Sequence, residues 1–136
     1  MTRINDLQRA AATADPTRAE KIVAGAGTGK TLTIVERFAY LVSERRLDPN
    51  RIVAVTFTNR AAADLRSRVT DRLVVGGLVA DRASMDAAWV GTFHGLCVRL
   101  LRDDCYEIGF DRDTRVINPL EERLLVDQVL TSLRNG

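Results

Sequence analysis

The run Ala24-Gly25-Ala26-Gly27-Thr28-Gly29-Lys30-Thr31 constrains this chain more than any other stretch of it. Three glycines within five residues are costly inside a helix or strand, so the run reads as a turn. It follows the short apolar run Lys21-Ile22-Val23-Ala24, which reads as a buried strand, and it opens a helical pattern. Strand, glycine-rich turn and helix in that order are the setting of a phosphate-binding loop. Glycines let the backbone curl so that successive N–H groups point at phosphate oxygens. The helix N-terminus adds the positive end of its dipole. Lys30 is placed to reach the β- and γ-phosphates of a nucleotide, and Thr31 to offer its hydroxyl to Mg²⁺. The general pattern Gly-x-x-x-x-Gly-Lys-[Ser/Thr] is broken at one place, where Ala24 stands for the first glycine. The competing reading is a plain strand-to-helix turn with a chance Gly-Lys-Thr.

Lysine usage adds to the case. Among 20 basic residues, only Lys21 and Lys30 are lysine. A chain that otherwise uses arginine keeps a compact ammonium at position 30, where a planar guanidinium would not serve.

Along the chain, helical and strand periods alternate. Ile4 to Ala14 reads as a short helix capped by Asn5 or Asp6. From Gly29 to about Arg45, Leu32, Val35, Phe38, Ala39 and Val42 define one apolar helical face. Ile52 to Thr56 reads as a second strand, and Arg60 to Val74 as a helix stopped by Gly76-Gly77. A polar connection from Leu78 to Ala88 precedes a third strand, Trp89 to Thr92. Phe93 to Asp103 reads as a helix with Leu96, Leu100 and Leu101 inward, and Thr114 to Ile117 as extended. Asn118-Pro119 is an N-cap followed by proline at the first helical position, with Glu121 completing a capping box for a helix to Leu133. The alternation argues for a parallel sheet with helix crossovers, which needs cover on both faces and neighbours at both edges.

Composition excludes little. The 136 residues suffice for one compact domain, and a net charge of +2 is too small to argue nucleic-acid binding alone. No apolar run spans a bilayer, and Met1 to Asn5 carries no signal-peptide core, which favours the cytoplasm and no membrane partner. Cys97 and Cys105 read as ordinary thiols, since zinc would need more ligands than these and His94, the only histidine.

The loop, with Ala24 in first place, is similar to the form used by UvrD/Rep-type superfamily 1 DNA helicases. Three further blocks resemble that family in the right order. Ile4-Asn5-Asp6-Leu7-Gln8 resembles its Q motif. Ala54-Val55-Thr56-Phe57-Thr58-Asn59-Arg60-Ala61-Ala62-Ala63-Asp64-Leu65 resembles motif Ia. Trp89-Val90-Gly91-Thr92-Phe93-His94-Gly95-Leu96 resembles motif Ib, which Arg99 and Arg102 continue.

The resemblance implies roles for these positions. Gln8 would read adenine with its amide. Residues Ala24, Gly25, Ala26, Gly27, Thr28, Gly29, Lys30 and Thr31 would hold ATP, with Lys30 and Thr31 catalytic and Thr31 on Mg²⁺. Phe57 would stack on bases of single-stranded DNA, Thr58 and Asn59 would grip the strand, and Thr92, Phe93 and His94 would contact it nearby. The plainer alternatives are a solvated helix residue for Gln8, core packing for Phe57 and Phe93, and a hydrogen-bonded structural role for His94. Leu32 departs from the family, in which many members place arginine there against the base.

The fold implied is a partial RecA-like P-loop α/β domain, with residues 1–111 in the first motor domain and residues 112–136 opening a helical insertion. The full enzyme would unwind DNA by ATP hydrolysis with 3′ to 5′ polarity. An Asp-Glu-x-Gln strand, arginine fingers and a second motor domain are expected beyond Gly136, so this chain by itself is expected neither to turn over ATP nor to unwind. One alternative is a standalone nucleotide- and DNA-binding module without hydrolysis. Another, an unrelated P-loop kinase or GTPase, is disfavoured by the Thr-Phe-Thr-Asn and Thr-Phe-His blocks.

Overall fold

A computed structural model describes residues 4–25, 27–104, 107, 109, 111 and 115–135. It divides into two compact units, Met1–Leu96 and Cys97–Gly136, and the boundary falls inside one helix. Ala26, Cys105 and Thr114 lie outside the described residues. No helix among the described residues is long and apolar enough to cross a membrane.

The first unit begins with helix α1, Asp6–Ala12. Asn5 caps it: its Oδ1 accepts from Gln8 N–H at 2.8 Å, and Gln8 Oε1 accepts from Asn5 N–H at 2.8 Å. This reciprocal box satisfies two N–H groups that a helix start otherwise leaves open. At the other end, Arg37 donates to Ala12 O at 3.2 Å and to Ala14 O, tying the C-terminal end of α1 to the next helix.

That helix, α2, spans Lys30–Ser43, and α3 spans Asn59–Val75. Each presents a stripe at three- and four-residue spacing. Val35, Phe38, Ala39 and Val42 from α2 meet Leu65, Val69 and Leu73 from α3, with Met85, Ala88 and Val90 completing the core. At the rim of this seam Arg72 grips Glu36 with two parallel hydrogen bonds of 2.8 and 3.0 Å. The Glu36 carboxylate holds the Arg72 guanidinium above its ordinary pKa.

Strands β1, Val53–Thr56, and β2, Trp89–Thr92, form a parallel pair in which Thr56 lies opposite Thr92. Helix α3 is the crossover between them, as parallel strands require. After α3, the 78–88 connection is ordered by a short 3-10 turn, Ala83–Met85. The Arg66 guanidinium braces it, donating to Met85 O, Ala88 O and Val90 O at 3.1, 3.0 and 2.8 Å.

Two expectations need correction. The fold is α/β with a parallel sheet, but the described sheet has two strands, because Lys21–Ala24 has no ladder partner among the described residues and forms no strand there. Ile22 is exposed there and Val23 is 85% exposed. The sheet is also covered on one face: Ala54 packs on the core while Val53 and Val55 are exposed. Helix and strand limits otherwise fall within two residues of the pattern at most ends.

Helix α4 spans Phe93–Asp103 and enters the second unit at Cys97, and within that unit α5 spans Pro119–Asn135. Leu100 and Leu101, expected inward, are exposed among the described residues. The start of α5 is as the sequence dictates. Asn118 Oδ1 accepts from Leu120 and Glu121 N–H at 2.9 and 3.0 Å, and Glu121 Oε2 accepts from Asn118 N–H at 2.9 Å. That bond, then the Arg115 guanidinium, holds the Glu121 carboxyl below the usual carboxylate range. Residues 115–118 before it carry no regular element.

Burial predicts the sensitivity of the two units. Leu73 is 0% exposed at the centre of the seam, so Leu73→Ala is expected to cost about 2–5 kcal/mol. Leu133→Ala, at an exposed position of α5, is expected to stay within about 0.5 kcal/mol. Urea unfolding followed by far-ultraviolet circular dichroism, which reports the helices of both units, checks both.

Candidate functional site

The glycine-rich loop is shaped by backbone handedness. Gly27 and Gly29 have φ of 74° and 88°, a region that residues with a Cβ rarely adopt. Gly29 is the N-cap of α2 in the left-handed conformation, so Lys30 begins the helix and its N-terminal N–H groups face the loop. The Lys30 ammonium folds over the loop and donates to Ala24 O at 2.8 Å and Gly25 O at 3.2 Å. Thr28 Oγ1 donates to the same Gly25 carbonyl at 2.8 Å. Thr31 is half-buried at the second helical position, and Leu32 beside it is also half-buried.

Gln8 joins this loop from α1. Its Nε2 donates to Thr28 O at 2.9 Å while its Oε1 stays in the capping box with Asn5. It is half-buried and bonded at both ends of its amide, so it is not simply a solvated helix residue. The structure thus gathers Gln8, Ala24, Gly25, Thr28 and Lys30 in one hydrogen-bonded group, with Gly29 close against the Gln8 amide. Ala26 lies outside the described residues.

A second group forms where the strands end. Because Thr56 pairs with Thr92, the residues that follow, Phe57 and Phe93, leave adjacent strands at the same end. Phe57 is 96% exposed and Phe93 64% exposed, so neither packs in the core of the described residues. His94 is exposed and meets the Phe93 ring edge-on, with centroids 6.1 Å apart. The two threonines act as caps. Thr58 Oγ1 accepts from Ala61 N–H at 3.2 Å at the start of α3, and Thr92 Oγ1 accepts from Gly95 N–H at 3.2 Å at the start of α4. Each hydroxyl therefore has a structural task beside any contact it makes outward. Asn59 is exposed at the first position of α3.

Residues 4–135 match the UvrD/REP helicase N-terminal domain. The chain belongs to the UvrD/REP helicase family. It is 40% identical over 109 residues to the ATP-dependent DNA helicase PcrA of Staphylococcus aureus (strain Mu50 / ATCC 700699), covering 80% of this chain. It is 40% identical over 111 residues to the ATP-dependent DNA helicase PcrA of Staphylococcus epidermidis (strain ATCC 12228 / FDA PCI 1200), covering 82% of this chain. The aligned part spans 14% of the length of either relative.

For a member of this family, a groove beside the exposed aromatics stands out, and of its residues only Arg68 lies outside the blocks that the sequence singled out. Thr58, Arg60, Ala61, Asp64 and Arg68 line an open groove of about 410 Å³ along the start of α3. Arg68 pairs with Asp64 at 2.9 Å. The signal was legible, since positions 60, 64 and 68 recur at four-residue spacing on one helical face.

The loop geometry makes its two outer glycines unequal. A Cβ on Gly29 would lie 2.7 Å from Gln8 Nε2 on a backbone of positive φ, whereas one on Gly25 makes an ordinary 3.5 Å contact with Thr28. Gly29→Ala is expected to lose more than about 1 kcal/mol of stability, and Gly25→Ala to stay within about 0.5 kcal/mol. Midpoints of thermal unfolding for the two variants test the contrast.

Proposed function

We propose that this chain is the ATP-binding and single-stranded-DNA-contacting opening of an ATP-dependent DNA helicase, on a partial RecA-like P-loop domain. The observation that carries the reading is the Lys30 ammonium held over a loop of left-handed glycines at the N-terminus of α2. The curatorial name of the relatives, ATP-dependent DNA helicase, agrees with it. In this reading residues 1–111 belong to the first motor domain and residues 112–136 open a helical insertion. Unwinding with 3′ to 5′ polarity, and a cytoplasmic setting, are proposed for the whole enzyme, with the second motor domain as partner.

The residues fit a nucleoside triphosphate. The loop N–H groups and the α2 dipole favour anionic oxygens, and Lys30 exchanges its carbonyl partners for phosphate. Thr31 would hold Mg²⁺ through its hydroxyl, and the ion would supply positive charge that offsets the charge of the phosphates. Gln8 faces the same loop and would meet the base. Leu32 makes the surface next to the base partly apolar.

At the strand ends, Phe57 and Phe93 offer exposed rings on which any base can stack, which suits a protein that tracks DNA without regard to sequence. Asn59, with the hydroxyls of Thr58 and Thr92 and the ring of His94, would meet sugar and phosphate, and Arg60 and Arg68 would add charge along α3.

Two measurements test the reading. Lys30→Ala is expected to weaken MgATP binding at least about tenfold, since hydrogen bonds to charged groups contribute about 1.5–3 kcal/mol, while Lys21→Ala leaves it unchanged. Equal losses in titrations of a fluorescent ATP analogue would remove the assignment. Phe57→Ala is expected to cost about 1–3 kcal/mol in single-stranded DNA affinity, measured by fluorescence anisotropy, without changing MgATP binding.

A further inference from the structure

We infer that Gln8 is a positioning residue for the phosphate loop, presetting Lys30 through Thr28 and Gly25 independently of any base. The inference rests on the reading of that loop as a nucleotide site. It follows from an unbroken chain of polar contacts. Asn5 N–H donates to Gln8 Oε1, and Gln8 Nε2–H donates to Thr28 O. Thr28 Oγ1 donates to Gly25 O, and that same carbonyl receives the Lys30 ammonium. The capping box of α1 is thereby wired to the one lysine of the loop.

Two features make this more than incidental contact. The amide is fixed in orientation: only its oxygen can face the Asn5 N–H, and only its nitrogen can face the Thr28 carbonyl. Gln8 also packs so closely over Gly29 that a Cβ there would lie 2.7 Å from Nε2. The loop therefore leans on Gln8 at two consecutive residues, by a hydrogen bond at Thr28 and by contact at Gly29.

The amide has capacity left. A glutamine side chain can give two N–H bonds and accept two at its oxygen. One of each is spent internally, which leaves one donor and one acceptor. That remainder matches an adenine edge, which offers one N–H and one ring nitrogen, and not the two acceptors on the corresponding edge of guanine. Base reading and loop positioning are thus compatible in one side chain, and a base held at Gln8 is linked to Thr28 and Gly25 of the loop by the same contacts.

A ligand without a base separates the two roles. The test is the affinity of the full chain for inorganic tripolyphosphate with Mg²⁺, measured by calorimetry for native protein, Gln8→Glu and Lys30→Ala. Glutamate keeps an acceptor for the Asn5 N–H, so α1 stays capped, but it turns a carboxylate toward the Thr28 carbonyl. Gln8→Glu is expected to bind tripolyphosphate about tenfold more weakly than native protein, with an unchanged midpoint of thermal unfolding. Relative to native protein at each pH, the loss is expected to shrink from pH 7.5 to pH 5 as the introduced carboxyl gains a proton to donate. Unchanged tripolyphosphate affinity in Gln8→Glu, with binding still abolished by Lys30→Ala, would overturn the inference and leave the loop assignment standing. A native chain that does not bind tripolyphosphate overturns both. A fall in affinity matched by a fall in the unfolding midpoint, with no recovery at low pH, would mark a general loss of structure and overturn the inference.

Discussion

The apolar seam between α2 and α3 sets the positions of everything else in the first unit. Val35, Phe38 and Val42 bury with Val69 and Leu73, and burial of side chains of this size contributes about 1.5–3 kcal/mol each. The candidate phosphate loop is the entry to α2, and the turn bearing Phe57 is the entry to α3. Each site is a helix start, so fixing the two helices against each other fixes the two sites. The Glu36–Arg72 fork then sets their register, because two parallel hydrogen bonds tolerate less sliding than apolar contact alone.

The same economy recurs in the polar residues. Thr58 and Thr92 cap the helices that follow β1 and β2, which turns the chain sharply at the strand ends. That turn leaves Phe57 with no cover and exposes Phe93 and His94 beside it. A short side chain that bonds its own backbone is therefore what places the large ring outside. Arg66 does comparable work from within, since its three carbonyl partners hold the 85–90 segment against α3 so that β2 enters the sheet in register with β1.

Local chemistry was readable from the sequence wherever a motif closes on itself within a few residues. The N-cap at Asn5, one of two candidates, the capping box at Asn118, the glycine turn ahead of Lys30, and the start of β2 at Trp89 all follow from neighbours in the chain. What the sequence did not disclose depends on distant partners. Periodicity makes Leu100 and Leu101 apolar-facing, but it cannot say whether anything covers them. Gln8 could be matched to a motif, yet its bond to Thr28 spans 20 residues and has no local signal. Arg66 was one arginine among many until its three carbonyls were in view.

The run before the loop shows how such distant contacts substitute for regular structure. Lys21 to Ala24 has the composition of a buried strand, yet among the described residues it lies in no ladder, and Val23 is exposed. A strand is held by its neighbours' hydrogen bonds and by side chains on its faces, and composition alone supplies neither. Without a ladder on its entry side, the loop takes its shape from the other side and from within. Helix α2 fixes Gly29 onward, Lys30 reaches back to Ala24 and Gly25, and Gln8 holds the Thr28 carbonyl from α1. Helix α1 can bear that load because Arg37 secures its far end to α2. The loop is thus braced twice by the same helix, once directly through Gly29 and Lys30 and once around the circuit α2–Arg37–α1–Gln8. Closed circuits of this kind resist distortion better than a single tether, since the loop cannot shift without breaking a bond at either end.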